Sequence, residues 1–415
     1  MTPKKAFLAA FLMSGVIAAP AIAQPAAPPA LTLSQDERSA LTALQAAAAG
    51  TDRAAQDAAL RAAQAAARGA DGRYAVGSLH YQIARARGDV RGMSEAADAM
   101  IASGQAQGAE LAALLANQVS RAYSANDLRR ADALLTRMVE AQPNNPVILA
   151  DAAQFKTRMG DRPAAVALFQ RAFAAQRASG RPAPESWHQR ALAVAVEGRL
   201  GPQSVMLGRE LVAAYPTPGN WRDALFILRP AVTAAPGAAA VSADPGFDLD
   251  IRRLARAAQG LAGERDYLDY AQIATRATAP AETKAVLDEG VSRGMLDANE
   301  PVVRQQLTAV TPRAAQERAG LAAARTRALA AADGRAALAA GDAHFGAGQY
   351  PQAAELYRAA LLKGGQDPNL LNLRLGAALG LAGQRVEAEA ALRAVTGARA
   401  DLASYWLVWL ARSPA

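Results

Sequence analysis

The chain has no cysteine among its 415 residues, and only 5% of them are aromatic. Without thiols there is no disulfide framework and no thiolate metal site, so folding rests on packing alone. Histidine is scarce as well. His80, His188 and His344 stand far apart, and none has a second histidine or a carboxylate at metal-binding spacing, so no zinc site is expected. Lysine is nearly absent beyond the start of the chain, where only Lys156, Lys284 and Lys363 occur. No stretch alternates apolar and polar residues as a half-buried strand would, and no phosphate-cradling glycine loop appears. These absences leave an alanine-rich, arginine-rich chain with helical periodicity.

At the amino terminus, Lys4 and Lys5 precede an apolar run from Ala6 to Ala19, then Pro20 and the small triplet Ala21-Ile22-Ala23. This is the pattern of a secretory signal cleaved after Ala23; the run is shorter than the ~20 residues of a spanning helix, which favours cleavage over the alternative of a retained anchor. Residues 1–23 are therefore expected to be a signal peptide, with a soluble, exported, periplasmic protein after cleavage and no integral membrane span. Residues 24–33 begin with the proline-rich QPAAPPA and read as a spacer. Formal net charge is +8, of which Lys4 and Lys5 supply two, leaving +6. Export argues against nucleic acid as a partner. The positive residues are interleaved with acids, as in Glu264-Arg265-Asp266, and read as solvated helix faces; an anionic envelope polymer or membrane surface is the alternative.

Ordered helix is expected from Ser34, with Glu37 three residues later as a capping box. Segments of helix length then alternate with Gly, Asp and Pro punctuation, as in Ser34–Ala49, Asp52–Arg68, Arg73–Arg87 and Gly108–Ser124. The clearest organisation lies at 335–395. Offset by 35 residues, Gly341 falls on Gly376, Gly348 on Gly383, Ala353 on Ala388 and Tyr357 on Leu392. A second pair, offset by 34, places Asp127, Ala131 and Leu135 on Asp161, Ala165 and Phe169, with Pro143-Asn144-Asn145 between hairpins and Gly160-Asp161 at a turn.

The order Gly341-x2-His344, Gly348, Ala353-x3-Tyr357, Ala360 resembles the tetratricopeptide repeat, a helix–turn–helix unit of about 34 residues. The resemblance implies an all-α, right-handed superhelical solenoid of roughly nine or ten hairpins, in which Gly341 and Gly376 let paired helices approach and Tyr357 and Leu392 fill the space beside them. It implies two repeat blocks, at 34–228 and 248–415, joined through 229–247, which is either a linker or a functional loop. Asp248–Leu261, Glu264–Arg276 and Ala281–Arg293 open the second block, Thr311–Ala332 is a longer Ala/Arg-rich helix, and Leu402–Ala411 is a terminal cap.

The function implied is that of a protein–protein interaction scaffold of the bacterial cell envelope, without cofactor or metal, taking a peptide or helical segment in its concave groove. The register places Ala116, Ser120, Tyr123, Gln154 and Arg158 on that groove in the first block, and Leu338, Asp342, Phe345, Leu373 and Ala377 in the second. Trp406 and Trp409 lie in the apolar Tyr405–Leu410 window, where packing on the last repeat and docking to a partner are both open. A binder of anionic polysaccharide or membrane surface is the first alternative. The second is a peptidoglycan-cleaving enzyme, because a helical superhelix is similar to the scaffold of lytic transglycosylases; Asp248/Asp250 and Asp266/Asp269 are the carboxylate pairs it would need. No separate catalytic lobe is visible, and no enzyme activity is expected.

Overall fold

A computed structural model describes residues 31–233 and 244–412. The expected signal sequence and most of the spacer lie outside the described residues. All regular structure among the described residues is helical. In chain order the helices are α1 (Gln35–Ala48), α2 (Arg53–Ala66), α3 (Ala70–Arg87), α4 (Val90–Ser103), α5 (Gly108–Ser124), α6 (Leu128–Ala141), α7 (Pro146–Arg158), α8 (Arg162–Ala178), α9 (Glu185–Glu197) and α10 (Gly201–Ala214). They continue as α11 (Pro218–Thr233), α12 (Pro245–Ala257), α13 (Glu264–Arg276), α14 (Pro280–Ser292), α15 (Pro301–Ala330), α16 (Gly334–Gly346), α17 (Tyr350–Lys363), α18 (Pro368–Leu381), α19 (Arg385–Arg393) and α20 (Ala400–Arg412). No described helix is long and apolar enough to cross a membrane.

Local chemistry sets the boundaries. The side chains of Asp52, Asp89, Asp127, Asp161, Asp333 and Asp367 each accept a backbone N–H at a helix start, satisfying donors that have no intrahelical partner. Proline is used where its missing N–H costs nothing, as the first residue of α7, α12, α14, α15 and α18. The capping box of Ser34 and Glu37 is present in both directions. Glu37 also accepts from the N–H groups of Arg68 and Gly69, and these backbone bonds, led by the one from Ser34, hold its carboxyl down at about 2.

From α3 onward, one geometry recurs at the helix ends that open the hairpin turns. Gly88, Asn126, Gly160, Arg199, Gln259, Gly294, Gly348 and Gly383 all adopt positive φ. The next residue's N–H reaches back to the carbonyl five positions earlier, as in Asp161 to Lys156 at 3.0 Å, Leu200 to Ala195 at 2.9 Å and Gln349 to His344 at 2.8 Å. This is the Schellman closure of a helix. Between paired helices the expected contacts are present. A Cβ added to Gly341 would lie 2.7 Å from the Tyr357 ring, and one on Gly376 would lie 2.5 Å from Leu392. Ala353 and Ala388 are fully buried beside them. The described residues thus form an all-α helical repeat array, with the glycine contacts that the tetratricopeptide resemblance predicts.

The helices form two compact units, one ending at Leu114 and one beginning at Leu115, inside α5. The first packs Leu41, Leu44, Ala63, Val76 and Ile83 into its core. In the second, Phe169 and Phe173 centre one cluster, and a larger one gathers Trp221, Phe247, Tyr267, Tyr270, Tyr357, Tyr405 and Trp406. Arg229–Thr233 completes α11 and Pro245–Phe247 opens α12, so the expected linker is helical at both ends; 234–243 lie outside the described residues.

Two further expectations change. The long helix begins at Pro301 rather than Thr311, and Pro312 sits inside it, because the buried stripe of Val303, Val310, Ala314, Leu321 and Ala328 runs straight through. The arginines are not all solvated: Arg253, Arg374 and Arg399 are buried.

Candidate functional site

The residues expected to line the groove share a register, best counted back from the positive-φ turn. Six positions before it stand Ser120, Gln154 and Ala193 in α5, α7 and α9, and Arg253, Asp342 and Ala377 in α12, α16 and α18. One register thus has two fates.

In α5, α7 and α9 it is accessible. Ser120 and Arg158 are exposed, and Ala116, Tyr123 and Gln154 are half-buried. Tyr123 donates its hydroxyl to the Arg158 carbonyl at 3.5 Å, which brings α5 and α7 together along one face. The Arg158 guanidinium lies 5.5 Å from the centre of the Phe155 ring. Val147 and Val196 extend the same face and are 55% and 42% exposed. Behind it, His188 stacks on Phe173 with ring centres 4.2 Å apart, and Tyr215 donates to the Ala183 carbonyl at 2.7 Å, fixing the hairpin from within.

In α12, α16 and α18 the register is closed. Phe345, Leu373 and Ala377 are 6%, 1% and 4% exposed, so the second half of the expected groove is interior rather than surface. Leu338 is half-buried against the same core. The cause is a cross-hairpin charge network. Arg253 donates through Nε and Nη2 to both oxygens of Glu282 at 2.9 and 2.8 Å, and through Nη1 to Asp250 at 3.3 Å. Arg374 bridges Asp250 at 3.0 Å and Asp342 at 2.8 Å. Tyr270 and Tyr357 cap the carboxylates of Glu282 and Asp342, each at 2.7 Å. The Arg253 guanidinium also lies over Phe345, 4.4 Å from the ring centre. Burial pushes Glu282 up, but Arg253 outweighs it and holds the carboxyl below its ordinary range. Burial and then Asp342 drive the Tyr357 phenol well up.

Trp406 and Trp409, left open between packing and docking, both turn inward. Trp406 is 1% exposed, and Trp409 is partly buried with its indole N–H donating to the Ala257 carbonyl at 3.0 Å. Packing is therefore their role here, against α12 as well as the neighbouring repeat.

The acid pairs considered for catalysis are held in ion pairs. Asp248 meets Arg229 at 3.0 Å, Asp266 meets Arg222 at 3.1 Å, and Asp269 lies 3.8 Å from Arg252 and 3.7 Å from Arg265. They rim a groove of about 510 Å³ between α11, α12 and α13, floored by Leu225, Ile251 and Ala255. Phe226, 80% exposed, stands at its edge. A smaller polar cavity of about 360 Å³ is lined by Arg256, Tyr270, Glu282, Glu289, Arg293 and Tyr350. There Arg256 meets Glu289 at 2.6 Å, which leaves that carboxylate engaged as well.

No protein-family model matches the chain, and no curated protein does. Among solved structures, it is similar to a tetratricopeptide repeat protein from Parabacteroides merdae, with 12% identity over 74% of this chain and 99% of that one, at a TM-score of 0.28. It is also similar to a chain in the complex of Naa15 and Naa10 bound to HypK-THB, with 12% identity, a TM-score of 0.29, and coverage of 80% of this chain and 63% of that one. The assignment of the fold rests on the helices, Schellman turns and glycine contacts described above.

Proposed function

We propose that the protein is a non-enzymatic scaffold of the bacterial envelope that binds a partner protein on the first-helix face of α5, α7 and α9. The observation that carries this reading is the split register. The face that α12, α16 and α18 bury against their own chain is left accessible in α5, α7 and α9, where Ser120, Tyr123, Gln154 and Arg158 alternate with small residues. Such a mixed groove suits an extended or helical segment. In this reading the chain is exported with cleavage after Ala23 and the face acts in the periplasm. A non-catalytic role is supported by the carboxylate pairs Asp248/Asp250 and Asp266/Asp269, whose members are engaged by arginine rather than held ready for a proton.

The test is in-cell crosslinking of the tagged full-length chain, followed by mass spectrometry of what co-purifies from the periplasm. One or a few envelope proteins are expected, lost with Tyr123→Asp or Arg158→Glu and kept with Val386→Asp on the exposed side of α19. A partner retained by both groove variants would sink the reading.

A second reading, binding of an anionic polymer or lipid surface, has one observation in its favour. Arg304, Arg313, Arg318 and Arg327 are exposed along α15 and make no ion pair among the described residues. Screening shortens from roughly 10 Å at 0.1 M salt to roughly 3 Å at 1 M. Binding that disappears over that range, and with these four arginines changed to Gln, would select it over the scaffold.

A further inference from the structure

The charge network that closes the inner face of α12, α16 and α18 stops short of its turn end, where the polar cavity of about 360 Å³ lies. Helix α12 brings Arg253 and Arg256 to this cavity, and α14 meets them with Glu282, Glu289 and Arg293. Three guanidiniums thus face two carboxylates. Arg253 and Glu282 form a closed pair, with hydrogen bonds at 2.9 and 2.8 Å and side chains only 2% and 1% exposed. Glu289 instead bridges two cations, since Arg256 Nε meets one of its oxygens at 2.6 Å and Arg293 Nε lies 3.6 Å from the other. The surplus positive charge therefore sits on Arg256 and Arg293.

The hydrogen bonds give the same sign. Glu282 also accepts from the Tyr270 hydroxyl at 2.7 Å and Glu289 from Tyr267 at 3.2 Å, so both carboxylates are engaged. Donors are what remain. Among the described residues, neither Nη group of Arg256 has a hydrogen-bond partner, and the same holds for Nη2 of Arg293 and the Tyr350 hydroxyl. Burial pushes the Tyr350 phenol up, which keeps its proton in place for donation. A molecule that binds here has to supply acceptors and negative charge. The outer edge of a guanidinium is a planar two-donor fork that matches the two oxygens of a carboxylate. Beside it the rings of Phe345 and Tyr350 meet edge to face with centres 5.2 Å apart, and Leu381 and Ala257 add apolar surface. The volume lies within the range of roughly 300–1,000 Å³ typical of small-molecule sites.

We propose that this cavity binds a small monocarboxylate with an apolar body, its carboxylate held by the Arg256 fork and the Tyr350 hydroxyl and its body against Phe345 and Leu381. The site shares no residue with the face of α5, α7 and α9, so the two readings fail independently.

The test is calorimetric titration of the full chain with phenylacetate, and with phenylacetamide, which keeps the body and loses the charge. The carboxylate should bind at least about tenfold tighter than the amide, as charge-assisted hydrogen bonds imply. Tyr350→Phe keeps the ring contact with Phe345 and should weaken binding roughly two- to tenfold, the worth of one hydrogen bond, at an unchanged melting temperature. Arg256→Lys keeps a charge beside Glu289 but not the fork, and should weaken binding about tenfold or more. Val386→Asp, on the exposed side of α19, should leave the titration unaltered. No saturable heat with phenylacetate at millimolar concentration, an amide that binds equally well, or a Tyr350→Phe variant that titrates like the parent would overturn the proposal. Tighter binding of inorganic phosphate, or binding only of a peptide with a free carboxyl end, would overturn it too, because the ligand would then not be a small carboxylate.

Discussion

Arg374→Met probes the charge network that closes the second half of the inner face. The guanidinium is 8% exposed and spans two carboxylates, Asp250 and Asp342, on different hairpins. Methionine keeps an unbranched apolar stem of similar reach, so most of the loss is electrostatic. Three buried or half-buried carboxylates, Asp250, Glu282 and Asp342, would then share Arg253 alone, at 3.3, 2.8 and 3.7 Å. Removing one partner of a buried pair costs about 3–5 kcal/mol, because the remaining charge stays desolvated. The exposed pair Arg393–Glu389, at 68% and 41% side-chain exposure and in the same unit, sets the contrast; Arg393→Met should cost below about 0.5 kcal/mol.

The assay is urea denaturation followed by tryptophan fluorescence. All four tryptophans, Trp187, Trp221, Trp406 and Trp409, lie in the second unit, so the signal reports that unit alone. The deficit should narrow as pH falls from 7 toward 5, since protons relieve carboxylates that have lost their counter-charge. Adding Asp342→Asn to Arg374→Met should recover about 1–2 kcal/mol, the coupling expected of residues in one network. A single variant within about 1 kcal/mol of the parent, or a double variant that merely adds the two losses, would refute the network as the closing element.

Four other substitutions test the packing. His188 is buried against Phe173 with Nδ1 unpaired, and burial, aided by Arg177, lowers its pKa from 6.5 to about 4. The unfolded chain therefore binds the extra proton between those values. Stability should rise with pH across that window and be fully present above about 6.5, by at most about 3 kcal/mol; His188→Phe should flatten the slope seen in tryptophan-monitored urea midpoints. Thr278, a branched residue at φ 55° in the turn before α14, pays the left-handed penalty of about 1–2 kcal/mol. Thr278→Gly should gain roughly 0.5–1 kcal/mol after the entropy of glycine is subtracted, and a loss in the same measurement would contradict the strain. Gly341→Ala drives a methyl into the Tyr357 ring and should cost about 1–3 kcal/mol. Gly320→Ala, with open space around it in α15, should instead gain up to about 1 kcal/mol in thermal melts.

Much of the fold was legible because its determinants are local or repeat at a fixed offset. Gly341 against Tyr357 and Gly376 against Leu392 were readable from the 35-residue register, and Ser34 with Glu37 from a four-residue motif. The turns at Asn126, Arg199 and Gln259 were not, because no glycine marks them although their φ matches that of Gly160 and Gly348. The packing of α20 was hidden for a different reason. Its hydrogen bonds, from Trp409 to Ala257 and from Tyr405 to Val205, join residues 152 and 200 positions apart, and no local periodicity encodes such a pairing. The buried arginines were misread because a salt bridge between hairpins and a solvated charge have the same composition; Arg253 and Arg265 differ only in what the third dimension places beside them.

The same distinction explains why one register can be both interior and surface. A first helix can fold its inner face against its own chain only if that face offers groups that another hairpin can satisfy. Arg253, Asp342 and Arg374 do so, since each guanidinium needs several acceptors and finds them on helices far away in sequence. Unpaired, they would be costly to bury, so closing the face and forming the network are one event. Ser120, Gln154 and Ala193 carry no such demand. They are small or neutral, lose little by remaining in water, and offer no charge to draw a distant hairpin inward. The inner residues of α12, α16 and α18 therefore act as internal ligands of the array, while those of α5, α7 and α9 leave the accessible face on which the proposed partner site rests.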